Sequence, residues 1–257
     1  MWDDYHAGLK PARIIALMYE HGTEATNCTR EELKEKCKAV DDDGWLYFAC
    51  KRIQHASNYG VQEKTVSKQI MVDSYKITGT PVYVEPSICA ILQRLYFVRY
   101  PGIFAWHHWC KREVAEGRNC TAASGHTRIF FGRRRSWDYK SRSYDADHET
   151  WKEYLANEPQ DNTTFATNMA LWKLWIDPDN RDRVNGKGCF RVEPLHHMHD
   201  ALCGQLHKRY TEWALQRIPM YFKTELIIAN SKVIIPFDGA YGPTWGNLKR
   251  GVIRAAA

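Results

Sequence analysis

Long apolar runs are missing from this sequence. No stretch of eighteen apolar residues occurs, and no basic segment followed by an apolar one opens the chain. A membrane-spanning helix needs about twenty apolar residues, and a secretory leader needs both of those opening segments. We therefore expect an intracellular, cytoplasmic protein without a membrane partner. The sequons at Asn27, Asn119 and Asn162 then carry no information about glycosylation.

Cysteine pairs of the CxxC type are also missing, although the chain contains eight cysteines. Such pairs are the usual signature of a zinc ribbon, so we expect scattered reduced thiols instead of a zinc site. Neither an internal repeat nor a flexible linker is visible, which excludes a solenoid or a repeat array.

The composition of the chain is typical of a globular protein. Its 257 residues are 44% hydrophobic, which is enough for one large domain or two small ones with real cores. Ten Trp and fourteen Tyr provide rings for stacking as well as for a core. The formal charge of +6 permits a polyanionic partner but does not require one.

The segment from Cys189 to His207 is predicted to form a two-stranded hairpin with His199-Asp200 at its turn. One face of the hairpin is predicted to bury five apolar side chains. These are Val192, Leu195, Met198, Leu202 and Leu206. A carboxylate at such a tip is held by both strands and is open to ligands, as metal-dependent phosphoryl transfer requires. The alternative is an ordinary turn Asp that bonds its own backbone.

A helix is predicted from Trp45 to Gly60. Lys51, His55 and Tyr59 are four residues apart, so they share one face. A cation, an imidazole and a phenol in one stripe are unusual for a surface that faces a core. The alternative is a helix edge on which the Lys51 stem covers apolar surface and Tyr59 packs partly inside.

The order of predicted elements is helices first, then hairpins and helices mixed, which indicates an α+β fold. In the second half, a short hairpin is predicted around Ser124-Gly125, and residues 133–147 are predicted to be a loop. A helix is predicted to begin at Pro159-Gln160, and residues 238–245 are predicted to be a Gly/Pro-rich tail after the last strand.

Several stretches of the chain, taken in order, resemble family A DNA polymerases, the bacterial polymerase I and phage replicase group. The stretches are Lys51 with Tyr59-Gly60, Arg99-Tyr100-Pro101-Gly102, Pro159-Gln160, His199-Asp200, and Tyr241-Gly242-Pro243-Thr244-Trp245-Gly246. They are similar, respectively, to the fingers-helix motif, the link between later fingers helices, a palm helix, the second catalytic carboxylate motif and the terminal segment of phage members. Each motif is short, but their shared order spans nearly the whole chain.

The resemblance implies a helical fingers subdomain over residues 1–117 and an antiparallel-sheet palm with packed helices over 118–257. The implied activity is template-directed nucleotidyl transfer from a dNTP to a primer 3′-hydroxyl, with Mg²⁺ as cofactor and primer–template DNA as partner. A bacterial or phage-infected cytoplasm is the implied location.

The resemblance also implies roles for single residues. Asp200 would bind metal, and Lys51 would face the triphosphate and act in catalysis. Arg52, His55 and Tyr59 would complete the nucleotide site. DNA contacts would come from Gly60, Gln160, His199 and Arg128, with further phosphate contacts from residues 133–135.

Three positions depart from the family pattern. The Arg that usually precedes the fingers Lys by four residues is Tyr47, so Arg52 would have to replace that contact. The ring that usually packs on the sugar is His55, which leaves the choice between deoxyribose and ribose open. Ala201 replaces the carboxylate that often follows the Asp of the hairpin motif.

The first catalytic Asp of the family has no counterpart in this sequence. Asp3 and Asp4 are at the wrong spacing for that motif, and an alignment on Arg13 would place His6 at the essential position. We therefore expect a fragment that begins after the first motif and has little activity alone. Two alternatives stay open: a single-subunit RNA polymerase-like enzyme, and a catalytically inactive nucleic-acid-binding remnant of a polymerase.

Overall fold

The fold is mixed α and β, as the order of predicted elements indicates. The computed structural model describes residues 1–139, 141–182 and 189–254. Its α-helices are α1 (Trp2–His6), α2 (Pro11–His21), α3 (Arg30–Lys38), α4 (Trp45–Asn58), α5 (Glu63–Thr78), α6 (Pro86–Arg99), α7 (Pro101–Glu116), α8 (His148–Ile176) and α9 (Thr211–Tyr221). Short 3₁₀ helices cover Thr23–Thr26, Pro178–Asn180 and Lys208–Tyr210.

The strands pair as separate antiparallel hairpins within the described residues. The pairs are β1 (Cys120–Thr121) with β2 (Thr127–Arg128), β3 (Arg135–Asp138) with β4 (Ser143–Ala146), β5 (Arg181–Asp182) with β6 (Cys189–Phe190), β7 (Val192–Met198) with β8 (Ala201–Leu206), β9 (Glu225–Ile228) with β10 (Ser231–Ile234), and β11 (Asp238–Thr244) with β12 (Asn247–Arg254).

The chain divides into two compact units. Unit 1 contains Met1–Arg118 and Phe131–Leu155, and unit 2 contains the described residues of Asn119–Phe130 and Ala156–Ala257. The assignment of residues 1–117 to fingers and 118–257 to palm stays a prediction, because a division into compact units does not identify polymerase subdomains.

The core of unit 1 is helical. Side chains of α2, α4, α5 and α6 interlock there, and Ile15, Ile53, Ile70, Leu92 and Tyr96 are fully buried. Cys50 and Cys89 lie in the same core. Local signals start the helices: Thr29 forms a complete capping box with Glu32, and Pro86 and Pro101 occupy first helical positions, where their missing N–H costs nothing.

The core of unit 2 lies between α8, α9 and the β7–β8 hairpin. Ala170 and Leu174 of α8, Val192 of β7, and Ala214 and Tyr221 of α9 are its buried members. Leu202 and Leu206 of β8 pack against them, so the hairpin does present one apolar face to a core.

Two residues predicted for that face do not reach it. Leu195 is three residues from Val192, an odd spacing that puts the two side chains on opposite faces of a strand, and it is 56% exposed. A bulge falls between Pro194 and His196. The bulge shifts the alternation by one residue, so Met198 is also on the other face and is 49% exposed. The prediction of a single apolar face from Val192 through Met198 was therefore wrong.

Three other predictions of local structure were wrong. Residues 133–147, predicted as a loop, contain the β3–β4 hairpin. Residues 238–245, predicted as a Gly/Pro-rich tail after the last strand, contain strand β11. The helix predicted to begin at Pro159 is part of α8, which begins at His148 and continues through the proline.

Candidate functional site

Helix α4 places Lys51, His55 and Tyr59 along one face, as predicted. Lys51 and His55 are exposed, and Tyr59 is half-buried at the C-cap of the helix. The rings of His55 and Tyr59 meet edge to face with centroids 5.2 Å apart. A cation, an imidazole and a phenol therefore stand together on an accessible helix surface.

Arg52 is engaged with neighbours in unit 1. Its Nη1 lies 3.3 Å from the Asp73 carboxylate of α5, and its guanidinium lies over the Phe48 ring at 5.4 Å. A triphosphate would have to compete with Asp73 for Arg52, whereas Lys51 forms no ion pair within the described residues. Lys51 is thus the cation of α4 that is open to an anionic ligand.

The C-terminal end of α4 is held by side chains from other segments of unit 1. Tyr96 donates its hydroxyl to Asn58 Oδ1 at 2.7 Å, and His107 Nε2 donates to the Asn58 carbonyl at 3.1 Å. Trp151 Nε1 in turn donates to the His107 carbonyl at 3.3 Å. The sequence analysis missed these residues, since nothing in their spacing points to α4.

Burial determines the protonation states of His107 and Tyr96, which hold the end of α4. Burial lowers the pKa of His107, and this effect outweighs the hydrogen bond to the Asn58 carbonyl, which raises that pKa. The neighbouring His108 and the positive charge of Lys111 lower the pKa of His107 further. His107 is therefore neutral at pH 7, with its proton on Nε2. Burial likewise raises the pKa of the Tyr96 hydroxyl, which stays a donor.

In unit 2, the turn of the β7–β8 hairpin is His199-Asp200, as predicted. Both side chains are exposed, and His199 has a φ of +53°, a left-handed conformation that His tolerates better than most residues. The buried Thr167 hydroxyl lies 3.1 Å from the Asp200 carbonyl, so α8 holds the backbone of the tip while the carboxylate points to solvent.

Gln160 is exposed on α8, two turns before Thr167. Gln160, Thr163 and Thr167 are spaced three and four residues apart, so they share one helix face. At 1.5 Å per residue, Gln160 and the anchor of the hairpin tip are roughly 10 Å apart along the axis.

Arg128 lies on β2, and its guanidinium is 5.0 Å from the Phe130 ring centroid. The turn before β2 is tied to α8 beside Gln160. The Ser124 amide donates to Asn162 Oδ1 at 3.0 Å, the Ser124 hydroxyl donates to the Asp161 carboxylate, and His126 Nδ1 lies 3.3 Å from that carboxylate. Unit 2 thus brings Arg128, Gln160 and the His199-Asp200 tip onto connected elements.

A groove of about 850 Å³ lies between α8, the β7–β8 hairpin and β11–β12 of unit 2. Thr163, Thr167, Asp200 and Trp245 are among its lining residues. The groove combines apolar side chains with two carboxylates, Asp200 and Asp238, and it includes part of the terminal segment that the sequence analysis singled out.

The residues present do not fit the complete metal pair that the resemblance implies. A two-metal centre needs carboxylates that bridge both ions, and the hairpin tip supplies Asp200 followed by Ala201. In the part of the chain that the structure describes, no group of three or more His, Cys, Asp or Glu side chains is arranged to hold a metal ion.

The Asp4 carboxylate is used within the fold of unit 1. Arg99 binds it with two nitrogens at 2.9–3.2 Å, and the Tyr100 hydroxyl donates to it at 3.2 Å. A buried acid so enclosed forms a structural ion pair.

No described helix combines the length and the apolar character that crossing a membrane requires. Comparison with known proteins adds no assignment: the chain matches no protein-family model and no curated protein.

Proposed function

We propose that this chain contributes the nucleotide-binding fingers and part of the palm of a template-directed DNA polymerase. The observation that carries the proposal is the hairpin tip of unit 2. An exposed Asp200 follows a left-handed His199 between two antiparallel strands, and α8 anchors its backbone through Thr167. This supports a role in which the carboxylate must be both rigid and accessible.

Helix α4 supports the nucleotide half of the proposal. Lys51 is exposed and unpaired among the described residues, as a contact to a triphosphate must be, because an ammonium offsets charge on phosphate oxygens. His55 and Tyr59 offer ring surfaces one and two turns further on, suited to a sugar and a base respectively.

The DNA half of the proposal relies on α8 and its neighbours in unit 2. Gln160 has an amide that can donate to the acceptors every base pair presents in the minor groove, which gives contact without sequence preference. Arg128 and His199 add exposed groups suited to phosphate oxygens. Together they suit a primer–template rather than a specific DNA site.

Because the metal pair is incomplete, the decisive test concerns nucleotide selection rather than extension. A primer with a dideoxy end would be annealed to a fluorescent template, and binding of the whole chain would be measured by anisotropy in Mg²⁺ buffer. We expect the dNTP complementary to the next template base to tighten binding by tenfold or more, and the three mismatched dNTPs to have little effect.

Variants separate the two binding functions. Lys51→Ala and Tyr59→Ala are expected to abolish the dNTP effect while retaining DNA binding. Lys68→Ala, which removes an exposed cation from the neighbouring helix α5, serves as the matched control and should behave like the parent chain. If the complementary dNTP has no more effect than the others, template-directed selection is disproved.

The same assay distinguishes the two alternatives. An RNA polymerase-like enzyme would respond to the complementary rNTP more strongly than to the dNTP, which His55 at the sugar-facing position makes worth measuring. An inactive polymerase remnant would bind the primer–template with no response to either nucleotide.

A further inference from the structure

The β3–β4 hairpin of unit 1 exposes an unusual number of large aromatic rings. Trp137 is 43% exposed, Tyr139 is 86% exposed, and Tyr144 is 69% exposed. Trp137 and Tyr144 are direct cross-strand partners, and their rings meet edge to face with centroids 5.4 Å apart. A hairpin this short gains little stability from rings that it leaves in water.

Arginines surround these rings. Arg133, Arg135 and Arg142 are exposed and form no ion pair in the part of the chain that the structure describes. Arg142 stands in the turn between the strands with a φ of +53°. The hairpin therefore combines three open guanidinium groups with three open aromatic rings.

The acidic residues of the hairpin are already engaged with other groups. Asp145 pairs with Lys111 of α7 at 3.5 Å, and Asp138 accepts from the Ser141 hydroxyl at 2.9 Å. Asp147 accepts from the amide and hydroxyl of Thr150, both at 3.1 Å. Burial raises the pKa of Asp147. The bonds from Thr150, a further bond from the Ser136 side chain and the charge of Arg133 outweigh burial and hold that pKa below its ordinary value. Bonds from neutral donors leave Asp138 and Asp147 charged, but the hairpin segment has more cations than carboxylates. Its four arginines, Arg133, Arg134, Arg135 and Arg142, outnumber Asp138, Asp145 and Asp147, so a positive excess remains.

We propose that the β3–β4 hairpin binds single-stranded nucleic acid without sequence preference. The guanidinium groups of Arg133, Arg135 and Arg142 contact phosphates, and Trp137, Tyr139 and Tyr144 stack on bases. Exposed rings can stack only on bases whose faces are free, which favours a single strand over a duplex. This assignment goes beyond the polymerase resemblance, which gives residues 133–135 phosphate contacts and gives the three rings no role.

Charge and stacking must both contribute if the proposal is correct. Arginine–phosphate contacts alone would bind any polyanion, including duplex DNA and acidic peptides, with a steep dependence on salt. Aromatic stacking adds a preference for unpaired bases that persists at higher salt.

The test measures binding of the whole chain to a fluorescent dT12 oligonucleotide by anisotropy over a range of salt concentrations, without nucleotides. The variants are Trp137→Ala/Tyr144→Ala, Tyr139→Ala alone, and Arg133→Gln/Arg135→Gln. We expect the paired variants to bind about tenfold or more weakly and Tyr139→Ala severalfold more weakly. The arginine variant should also lower the salt slope by about 1.4, or 0.7 for each lost phosphate contact.

Matched controls come from α5 and the segment after it, in the same unit. Tyr75→Ala/Tyr83→Ala removes two rings of similar exposure, 61% and 60%, and Lys64→Gln/Lys68→Gln removes two exposed cations. Both controls are expected to bind dT12 within twofold of the parent. Circular dichroism checks folding; should Trp137→Ala/Tyr144→Ala unfold the hairpin, the nearly fully exposed Tyr139 decides the question alone.

Three results would overturn the proposal. In the first, the hairpin variants bind dT12 like the parent. In the second, only the arginine variant loses affinity, which makes the hairpin a general polyanion surface. In the third, a poly-glutamate peptide or duplex DNA displaces dT12 as well as unlabelled dT12 does.

Discussion

Trp151 lies directly against the Cα atom of Gly60. A Cβ atom added at Gly60 would come 2.5 Å from Trp151 Cη2, and Gly60 has a φ of +65°. Trp151 donates to the His107 carbonyl, and His107 donates to the Asn58 carbonyl. The last turn of α4, which carries Tyr59, is thus enclosed by groups from α7 and α8 within unit 1.

This contact predicts a large cost for Gly60→Ala. Alanine disfavours the left-handed backbone by about 1–2 kcal/mol, and the displaced Trp151 adds about 1–3 kcal/mol of overpacking. Gly79→Ala is the matched control, because Gly79 has a φ of +73° but no atom within 4 Å of the added Cβ. Urea unfolding should show the backbone cost in both variants and the larger loss in Gly60→Ala. Equal losses would mean that Trp151 yields freely.

Because His107 is buried, we expect the stability of unit 1 to fall at acidic pH. Its pKa is lowered by burial below the ordinary value of 6.5, so below that pH the unfolded chain binds a proton that the folded chain does not. Stability therefore falls as pH drops from the ordinary pKa toward the lowered one, and it is fully present above pH 7.

The measurement compares the urea midpoints of the parent and His107→Gln at pH 7.5 and pH 5.5. We expect the parent to lose more stability than the variant across this interval, since other groups titrate alike in both proteins. A variant that loses as much as the parent would show that His107 does not contribute to the acid sensitivity.

Asp177 predicts a second acid-sensitive contribution, in unit 2 and at lower pH. Its buried carboxylate accepts from Arg217 Nε at 2.8 Å and from the Tyr221 hydroxyl. Burial raises the pKa of Asp177, but those bonds outweigh it and the net pKa is lowered. The contribution is present above the ordinary pKa of 3.8 and is lost as pH falls through the lowered value.

Asp177→Asn is expected to cost about 2–3 kcal/mol at neutral pH. This cost is smaller than the loss of stability expected when one partner of a fully buried ion pair is removed, because Arg217 is about one-third exposed to solvent that screens the pair. The variant should also show a shallower loss of stability below pH 4. Asp179→Asn, at a side chain 67% exposed and 3.7 Å from Arg217, is the control and should cost under about 0.5 kcal/mol.

Thr167→Val predicts a loosened hairpin tip. The substitution keeps the shape of the side chain but removes the hydroxyl, at a cost of about 1–2 kcal/mol. That hydroxyl lies 3.1 Å from the Asp200 carbonyl and 3.2 Å from the Thr163 carbonyl of its own helix. Amide hydrogen exchange from Met198 to Ala201 should accelerate. Thr163→Val, whose hydroxyl instead reaches the Pro159 carbonyl of its own helix, should leave that exchange unchanged. Unchanged exchange in Thr167→Val would mean that the strands alone fix the tip.

Local signals explain what could be predicted from the sequence. The helix that begins at Trp45 and the turn at His199-Asp200 each depend on neighbours a few residues away, so both elements were predicted correctly. The common face of Lys51, His55 and Tyr59 follows from helix geometry alone.

What could not be predicted depends on partners that are distant in sequence. The bulge that turns Met198 outward leaves no mark in a pattern of alternating residues. The engagement of Arg52 by Asp73 and of Asn58 by Tyr96 and His107 arises only when helices pack. The β3–β4 hairpin was missed because its faces are both largely polar or exposed, so no apolar period indicates its strands.

Two buried thiols, Cys50 and Cys89, allow the opening of the unit 1 core to be measured directly. Burial raises the pKa of Cys50 to about 12 and that of Cys89 to about 11, so neither forms a reactive thiolate while the helices stay packed. An alkylating reagent can modify them only during openings of this core. The rate at which mass spectrometry detects their labelling therefore measures the free energy of those openings in the native protein, without denaturant and without an engineered probe.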